Sequence, residues 1–230
     1  MFTLLAIDTT SARCTVALSS GNILISRTVE SVKQNAQFVL PQIAELLAEA
    51  KQELQQIDAI AVLAGPGSFT GIRIGIGIAQ GLGMANGTPV LPLSNLALKA
   101  YTAMRESGTK RALVCEVARD QEVYFAAYHW NEDSGVTLIG SEQADIPENV
   151  QLVSEFGALE DNWIAAGSGW KSVRGVGPIR SLHRSGEAID PELNCHDFNE
   201  LAKLRFSRGD AVPAASALPN YVKDALNYRR

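Results

Sequence analysis

At 230 residues, with 46% hydrophobic and 20% charged side chains, the chain has the composition of an ordinary globular protein, large enough for one domain or two small ones. Its formal net charge of -5 argues against tight autonomous binding to nucleic acid, because that affinity comes mostly from cations displacing phosphate counterions; a basic partner would have to supply them. The three cysteines, Cys14, Cys115 and Cys195, lie far apart with no C-x-x-C spacing and read as reduced, buried thiols.

In chain order, Leu4 to Ala6, Thr15 to Leu18 and Ile23 to Thr28 read as three short strands of a meander, parted by the turn-rich stretches Asp8 to Ser11 and Ser19 to Asn22. The first run stops at Asp8 and has no basic residue before it, so it is not read as a signal peptide. Val39, Ile43, Leu46, Leu47, Ala50 and Leu54 recur at helical spacing, with Pro41 expected in the first turn or at a kink. Ile57 to Leu63 reads as a buried parallel strand. A glycine-rich helix, a short strand at Val90 and Leu91, and a helix capped by Ser94 with Leu96, Ala97, Ala100 and Tyr101 on its buried face complete the first half.

After the polar break from Glu106 to Lys110 the pattern restarts. Strands are expected at Arg111 to Val117, Glu122 to Trp130 and Val136 to Ile139, then a short helix at Pro147 to Phe156, a buried strand at Trp163 to Ala166 and a late helix at Asp197 to Arg208. A meander followed by parallel strands with crossover helices, present twice, predicts an α/β protein of two ribonuclease H-like domains, 1–106 and 107–230, each a mixed sheet with flanking helices. This is the arrangement of the actin, sugar-kinase and Hsp70 (ASKHA) superfamily.

The segment from Gly65 to Gly83 joins strand to helix and places five glycines inside the helix, at a cost on the order of 5 kcal/mol against alanine before tertiary packing. Close backbone approach is the expected compensation. Gly71, Gly75, Ala79 and Gly83 fall four apart, and Gly77, Gly81 and Ala85 form a second such line. The small residues suit either the chain's own sheet or an external helix. The second reading makes Gly71, Ile74, Gly75, Ile78, Gly81 and Leu82, with Val39 and Ile43 of the preceding helix, the candidate partner or dimer interface.

The turn at Gly65 to Gly71 also opens a helix, where free backbone N–H groups and the helix dipole suit a phosphate. It lacks the lysine of a P-loop and the spacing of a dinucleotide fingerprint, so a structural turn is the competing reading. Asp8, Thr9, Thr10, Gly67 and Ser68 are the candidate nucleotide or phosphate contacts. His129, His183 and His196 are isolated, so no metal site is expected, and His196 with Asp197 reads as a helix cap. A peptidase would need a metal or a nucleophile with its base, and neither set is found. Lys171, Arg174, Arg180 and Arg184, with His183, form one cationic cluster in an irregular region from Ser168 to Gly186, read as a solvated loop or as a contact for RNA or an acidic partner.

Ile7 to Thr10, the run Gly65-Pro66-Gly67-Ser68-Phe69-Thr70-Gly71-Ile72-Arg73-Ile74-Gly75 with Ala79 to Leu82, then Glu122-Val123-Tyr124 and Pro219 to Lys223, together resemble the TsaB (YeaZ) family over nearly the whole chain. The resemblance implies a cytoplasmic, non-catalytic scaffold subunit of the bacterial machinery that forms N6-threonylcarbamoyladenosine beside the anticodon of tRNAs reading ANN codons. It implies a TsaD-type paralogue as the transferase, a TsaE-type ATPase as third partner, a homodimer in isolation, and tRNA met through the complex. No tightly bound cofactor and no membrane are implied, with ATP or ADP admissible at the complex interface. TsaD-type chains present a His-x-x-x-His metal pair where this one has Asn95 and Lys99. Val117 and Asn35 stand where relatives usually carry Asp and His. The alternative is an ATP-dependent phosphotransferase or nucleotide-binding protein of the same superfamily.

Overall fold

The structure, a computed structural model, describes residues 2–30, 35–151, 163–171 and 188–222. Strands β1 (Thr3–Asp8), β2 (Arg13–Ser20) and β3 (Ile23–Glu30) form the expected meander. Helix α1 (Asn35–Ala50), strand β4 (Ala59–Gly65), helix α2 (Phe69–Asn86), strand β5 (Val90–Ser94) and helix α3 (Asn95–Ser107) follow. The first sheet has the order β3-β2-β1-β4-β5, with β4 and β5 joined in parallel. All seven residues of β4 are buried, which is why its sequence is uninterruptedly apolar.

Along β1, Leu5 and Ile7 enter a core cluster with Val39, Ile43 and Leu46 of α1 and Ile72, Ile76 and Ala79 of α2. Leu4 and Ala6, which alternation turns to the opposite face, are also buried. Pro41 lies inside α1 rather than in its first turn. The helix ends where Lys51 takes a left-handed φ of 53°, with Lys51 N–H on Ala48 C=O (3.2 Å) and Gln52 N–H on Leu47 C=O (2.9 Å). Leu54 therefore falls in a separate 3₁₀ turn, Leu54–Gln56.

Strands β6 (Arg111–Val117), β7 (Val123–Asn131), β8 (Gly135–Asp145) and β9 (Ile164–Ala166) form the second sheet in the order β8-β7-β6-β9. Ile189 adds a parallel bridge beside Ala166, so this sheet repeats the order of the first with its fifth strand reduced to one residue. Its core gathers Leu113, Cys115, Phe125, Ala127 and Trp170. The helix expected at Pro147 to Phe156 is a turn at residues 147–149, and residues 152–156 lie outside those described.

Helix α4 (Cys195–Ser207) is capped by Asn194, whose Oδ1 accepts from Asp197 N–H at 2.8 Å, not by His196 and Asp197. It changes the division of the chain. One compact unit comprises Met1–Asn95 with Asn194–Asn220, and the other Leu96–Leu193 with Tyr221–Arg230, in place of 1–106 and 107–230. Packing gives the reason. Helix α4 lies against β1 and β2, the Phe206 ring meets Phe2 edge-on at 4.9 Å, Val212 pairs with Val90, and Ala214 and Ala217 enter the first core.

Candidate functional site

The five residues expected to meet a phosphate do come together. Asp8 Oδ1 accepts from Thr10 N–H (2.8 Å) and from the Thr10 hydroxyl (2.7 Å), making an Asx turn at the end of β1. Thr10 C=O accepts Ser68 N–H at 2.9 Å, and Ser68 Oγ caps α2 by accepting Gly71 N–H at 3.2 Å. The buried Thr9 hydroxyl donates to Gly71 C=O at 2.7 Å. A side chain on Gly71 would collide with the Thr9 carbonyl oxygen, and one on Gly67 would stand 2.9 Å from that of Thr10. These glycines let the Asp8 turn press onto the start of α2. Of the amides around this turn, those of Ser68 and Gly71 are engaged within the chain.

Asn95 completes this corner, a role that the sequence does not announce. Its amide donates to Thr10 Oγ1 at 2.6 Å while its Oδ1 accepts Gly65 N–H at 3.0 Å, tying the Asp8 turn to the end of β4. Asn220 N–H donates to Ala64 C=O at 2.8 Å, which brings the late Pro219-Asn220 motif to the glycine turn. Burial pushes the Asp8 carboxyl above the usual aspartate range, against the opposing effect of its Thr10 hydrogen bonds and of Arg13.

The candidate interface residues divide by face. Gly71, Gly75, Ala79 and Gly83 are buried, and side chains on Gly75 and Gly83 would press into the Thr9 hydroxyl and against Ala214 and Thr88 C=O. Val39 and Ile43 are likewise core residues. Gly71, Gly75, Val39 and Ile43 are therefore corrected from an outward to an inward position: their contacts are already taken by the chain's own turn and sheet. Among the described residues nothing lies within 4 Å of a side chain placed on Gly77 or Gly81. Around them Phe69, Arg73, Met84 and Ala85 are exposed, Ile74, Ile78 and Leu82 half-buried, and Leu40 of α1 is exposed as well. Met84 is 67% exposed, and the Arg73 guanidinium lies 3.6 Å from the Phe69 ring centroid. The glycine spacing pointed to such a face; the flanking Phe69, Arg73 and Met84 were missed because a 3.6-residue period does not say which stripe the sheet covers.

In the second unit Gly167 and Gly169 press onto Cys115 much as Gly67 presses onto Thr10. Ser168 Oγ donates to Glu116 Oε2 at 2.6 Å and accepts from Val117 N–H at 3.2 Å. Lys99 Nζ reaches Glu116 Oε1 (3.0 Å), Asp190 Oδ1 (2.7 Å) and Pro191 C=O (2.9 Å). Burial pulls the Lys99 ammonium down, but Glu116 and Asp190 outweigh it and leave its pKa raised. Asn95 and Lys99 are thus both committed to hydrogen bonds or ion pairs. Burial pushes the Cys14 thiol to about 11 and the Cys115 thiol to about 12, so both stay protonated at neutral pH.

Among the described residues no group of three or more His, Cys, Asp and Glu could hold a metal ion, and no helix is long and apolar enough to cross a membrane. Lys171 is exposed at the end of the 3₁₀ turn Ser168–Lys171; Arg174, Arg180, His183 and Arg184 lie outside the described residues.

A family model described as TsaD, tRNA N6-adenosine threonylcarbamoyltransferase, matches residues 29–190. A protein of Escherichia coli named tRNA threonylcarbamoyladenosine biosynthesis protein TsaB is 32% identical over 99% of this chain and 97% of its own length. A Haemophilus influenzae protein of the same name is 31% identical over 99% and 96%. The crystal structure of an uncharacterized Pseudomonas aeruginosa protein, described as similar to peptidase YeaZ, superposes with a TM-score of 0.83 at 38% identity, covering 97% of this chain and all of that one. Another structure, described as YeaZ from the same organism, gives 0.81 at 38% identity over 96% and 100%.

Proposed function

The chain belongs to the TsaB (YeaZ) family of tRNA threonylcarbamoyladenosine biosynthesis proteins, and from that premise we propose that it is a non-catalytic scaffold or activating subunit in the formation of N6-threonylcarbamoyladenosine beside the tRNA anticodon. It supports a TsaD-type paralogue, which performs the transfer, together with a TsaE-type ATPase, and it pairs with a second copy of itself in isolation. It works in the cytoplasm and meets tRNA through the complex. It holds no cofactor tightly on its own, and ATP or ADP enters at the complex interface.

The observation that carries this reading is the outward face of α2. Gly77 and Gly81 leave room for a partner backbone or a large apolar side chain to approach the helix closely, and Phe69 and Met84 of the same helix add exposed apolar surface. Ile74, Ile78 and Leu82, half-buried, are the retained members of the docking surface. The inward engagement of Ser68 N–H and Gly71 N–H supports a scaffold over a phosphotransferase.

Reconstitution tests the reading. Purified TsaD-type and TsaE-type proteins, supplied with tRNA, threonine, bicarbonate, ATP and the threonylcarbamoyl-AMP synthase, should modify tRNA only when this chain is added. Equal modification without it would overturn the assignment. Saturable ATP turnover by the isolated chain, abolished by Asp8→Asn, would put the phosphotransferase in its place.

A further inference from the structure

Two segments of the second unit, the end of β6 and residues 190–191, meet at one side chain that the scaffold reading does not use. Lys99 projects from α3 and is 12% exposed at its side chain. An ammonium can donate but not accept, and here it donates to Asp190 Oδ1 and Pro191 C=O and forms an ion pair with Glu116 Oε1. The other Glu116 oxygen is held by Ser168, whose Oγ also receives Val117 N–H. Glu116 thus joins the end of β6 to the Gly167–Gly169 turn, while Asp190 and Pro191 belong to the segment that completes the sheet.

Among the described residues, Ala188 of that segment packs against the second core and Pro191 is buried, but its backbone is pinned to the sheet at one point. It is fixed to β9 by one bridge, through Gly167 N–H on Ile189 C=O (2.8 Å) and Ile189 N–H on Ala165 C=O (2.9 Å). A one-residue strand lacks the cooperative ladder that steadies a longer edge. Without the cation, Glu116 and Asp190 would be left as like charges facing a shared, partly dry space, an arrangement that separates rather than joins.

We propose that Lys99 is a clamp: its ammonium holds the sheet-edge segment 188–191 against the end of β6 and the Ser168 turn.

Amide hydrogen exchange on the full chain tests it. In Lys99→Met, which keeps the unbranched chain one atom shorter and removes the charge, the Gly167 and Ile189 amides should exchange at least about tenfold faster while those of β6 and β7 keep their rates. Lys99→Arg, with its charge retained, should show a smaller change. Unaltered exchange at Gly167 and Ile189 in Lys99→Met would overturn the clamp, and so would an equal acceleration throughout β6 and β7, which would mark a general loss of stability. Asp190→Asn removes one acceptor charge at a side chain 45% exposed and keeps the test open if Lys99→Met does not fold. It should accelerate the same two amides, and an unchanged rate there also counts against the clamp.

Discussion

Helix α2 carries glycine on both of its faces for opposite reasons. On the inner face, Gly71, Gly75 and Gly83 are glycine because Thr9, Ala214 and Thr88 already occupy the space a side chain would fill. On the outer face, a side chain on Gly77 or Gly81 would meet nothing within 4 Å among the described residues. Each costs about 1 kcal/mol against alanine. The inner glycines recover that cost in the folded monomer; the outer ones have no such return unless another molecule packs there. Spacing alone cannot separate the cases, because both lines repeat every four residues.

The largest expected effect breaks the inner side. Gly71→Ala places a methyl group on the Thr9 carbonyl oxygen, a backbone atom that cannot turn aside. Overpacking of this kind outweighs the gain in helix propensity, and a net loss of about 3 kcal/mol is expected. Thermal unfolding should show a midpoint lower by roughly 6–12 °C. An unchanged midpoint would mean that the Asp8 turn does not press on α2 as described.

Asn95→Ala tests the same side from the turn. It removes the group that bridges Thr10 Oγ1 and Gly65 N–H, leaving a backbone donor without its partner, and should cost about 2 kcal/mol in denaturant unfolding. A loss below about 0.5 kcal/mol, within the range of ordinary surface substitutions, would remove Asn95 from the corner.

A smaller effect comes from Asp8 itself. Burial raises its carboxyl pKa, so the folded state binds the proton more tightly than the unfolded one. The contribution of this group is therefore most favourable below the ordinary aspartate value and is lost as pH rises through the folded value. Asp8→Asn keeps an acceptor for Thr10 and removes the buried charge. It should raise stability at neutral pH by on the order of 1 kcal/mol, with the gain fading towards about pH 4. Unfolding free energies across that range check the sign; a variant less stable at neutral pH than in acid, relative to the natural chain, would show that the carboxylate is wanted as an anion.

Much of this architecture is legible locally. The meander, the buried β4 run and the strand-to-helix position of the Gly65 turn all follow from apolar runs and turn residues close together in sequence. Features settled at long range were not legible. The return of Val212, Ala214 and Ala217 to the first unit depends on Val90 and Gly83, more than a hundred residues away, and no periodicity reports it. The inward orientation of Val39 and Ile43 is plain from their helical period, but assigning them to an interface ignored that the same stripe must cover β2. Asn95 looked merely like an absent metal ligand until its two hydrogen bonds supplied a reason for it.

The smallest expected effect is opposite in sign to that of Gly71→Ala and separates the two faces most cleanly. Gly77→Ala adds a methyl group to a helical residue with open space around it, so nothing in the monomer resists it and helix propensity favours it. The isolated chain at low concentration should gain about 0.5–1 kcal/mol in denaturant unfolding. If the outer face is where a second helix packs closely, the same methyl group should weaken self-association or binding to the TsaD-type partner, measured by sedimentation equilibrium and by titration calorimetry. Gly81→Leu, a larger intrusion on the same stripe, should weaken it further. Greater monomer stability with unchanged association in both variants would leave the outer glycines without a partner. Greater monomer stability joined to weaker association would show that the helix gives up its own stability to admit one.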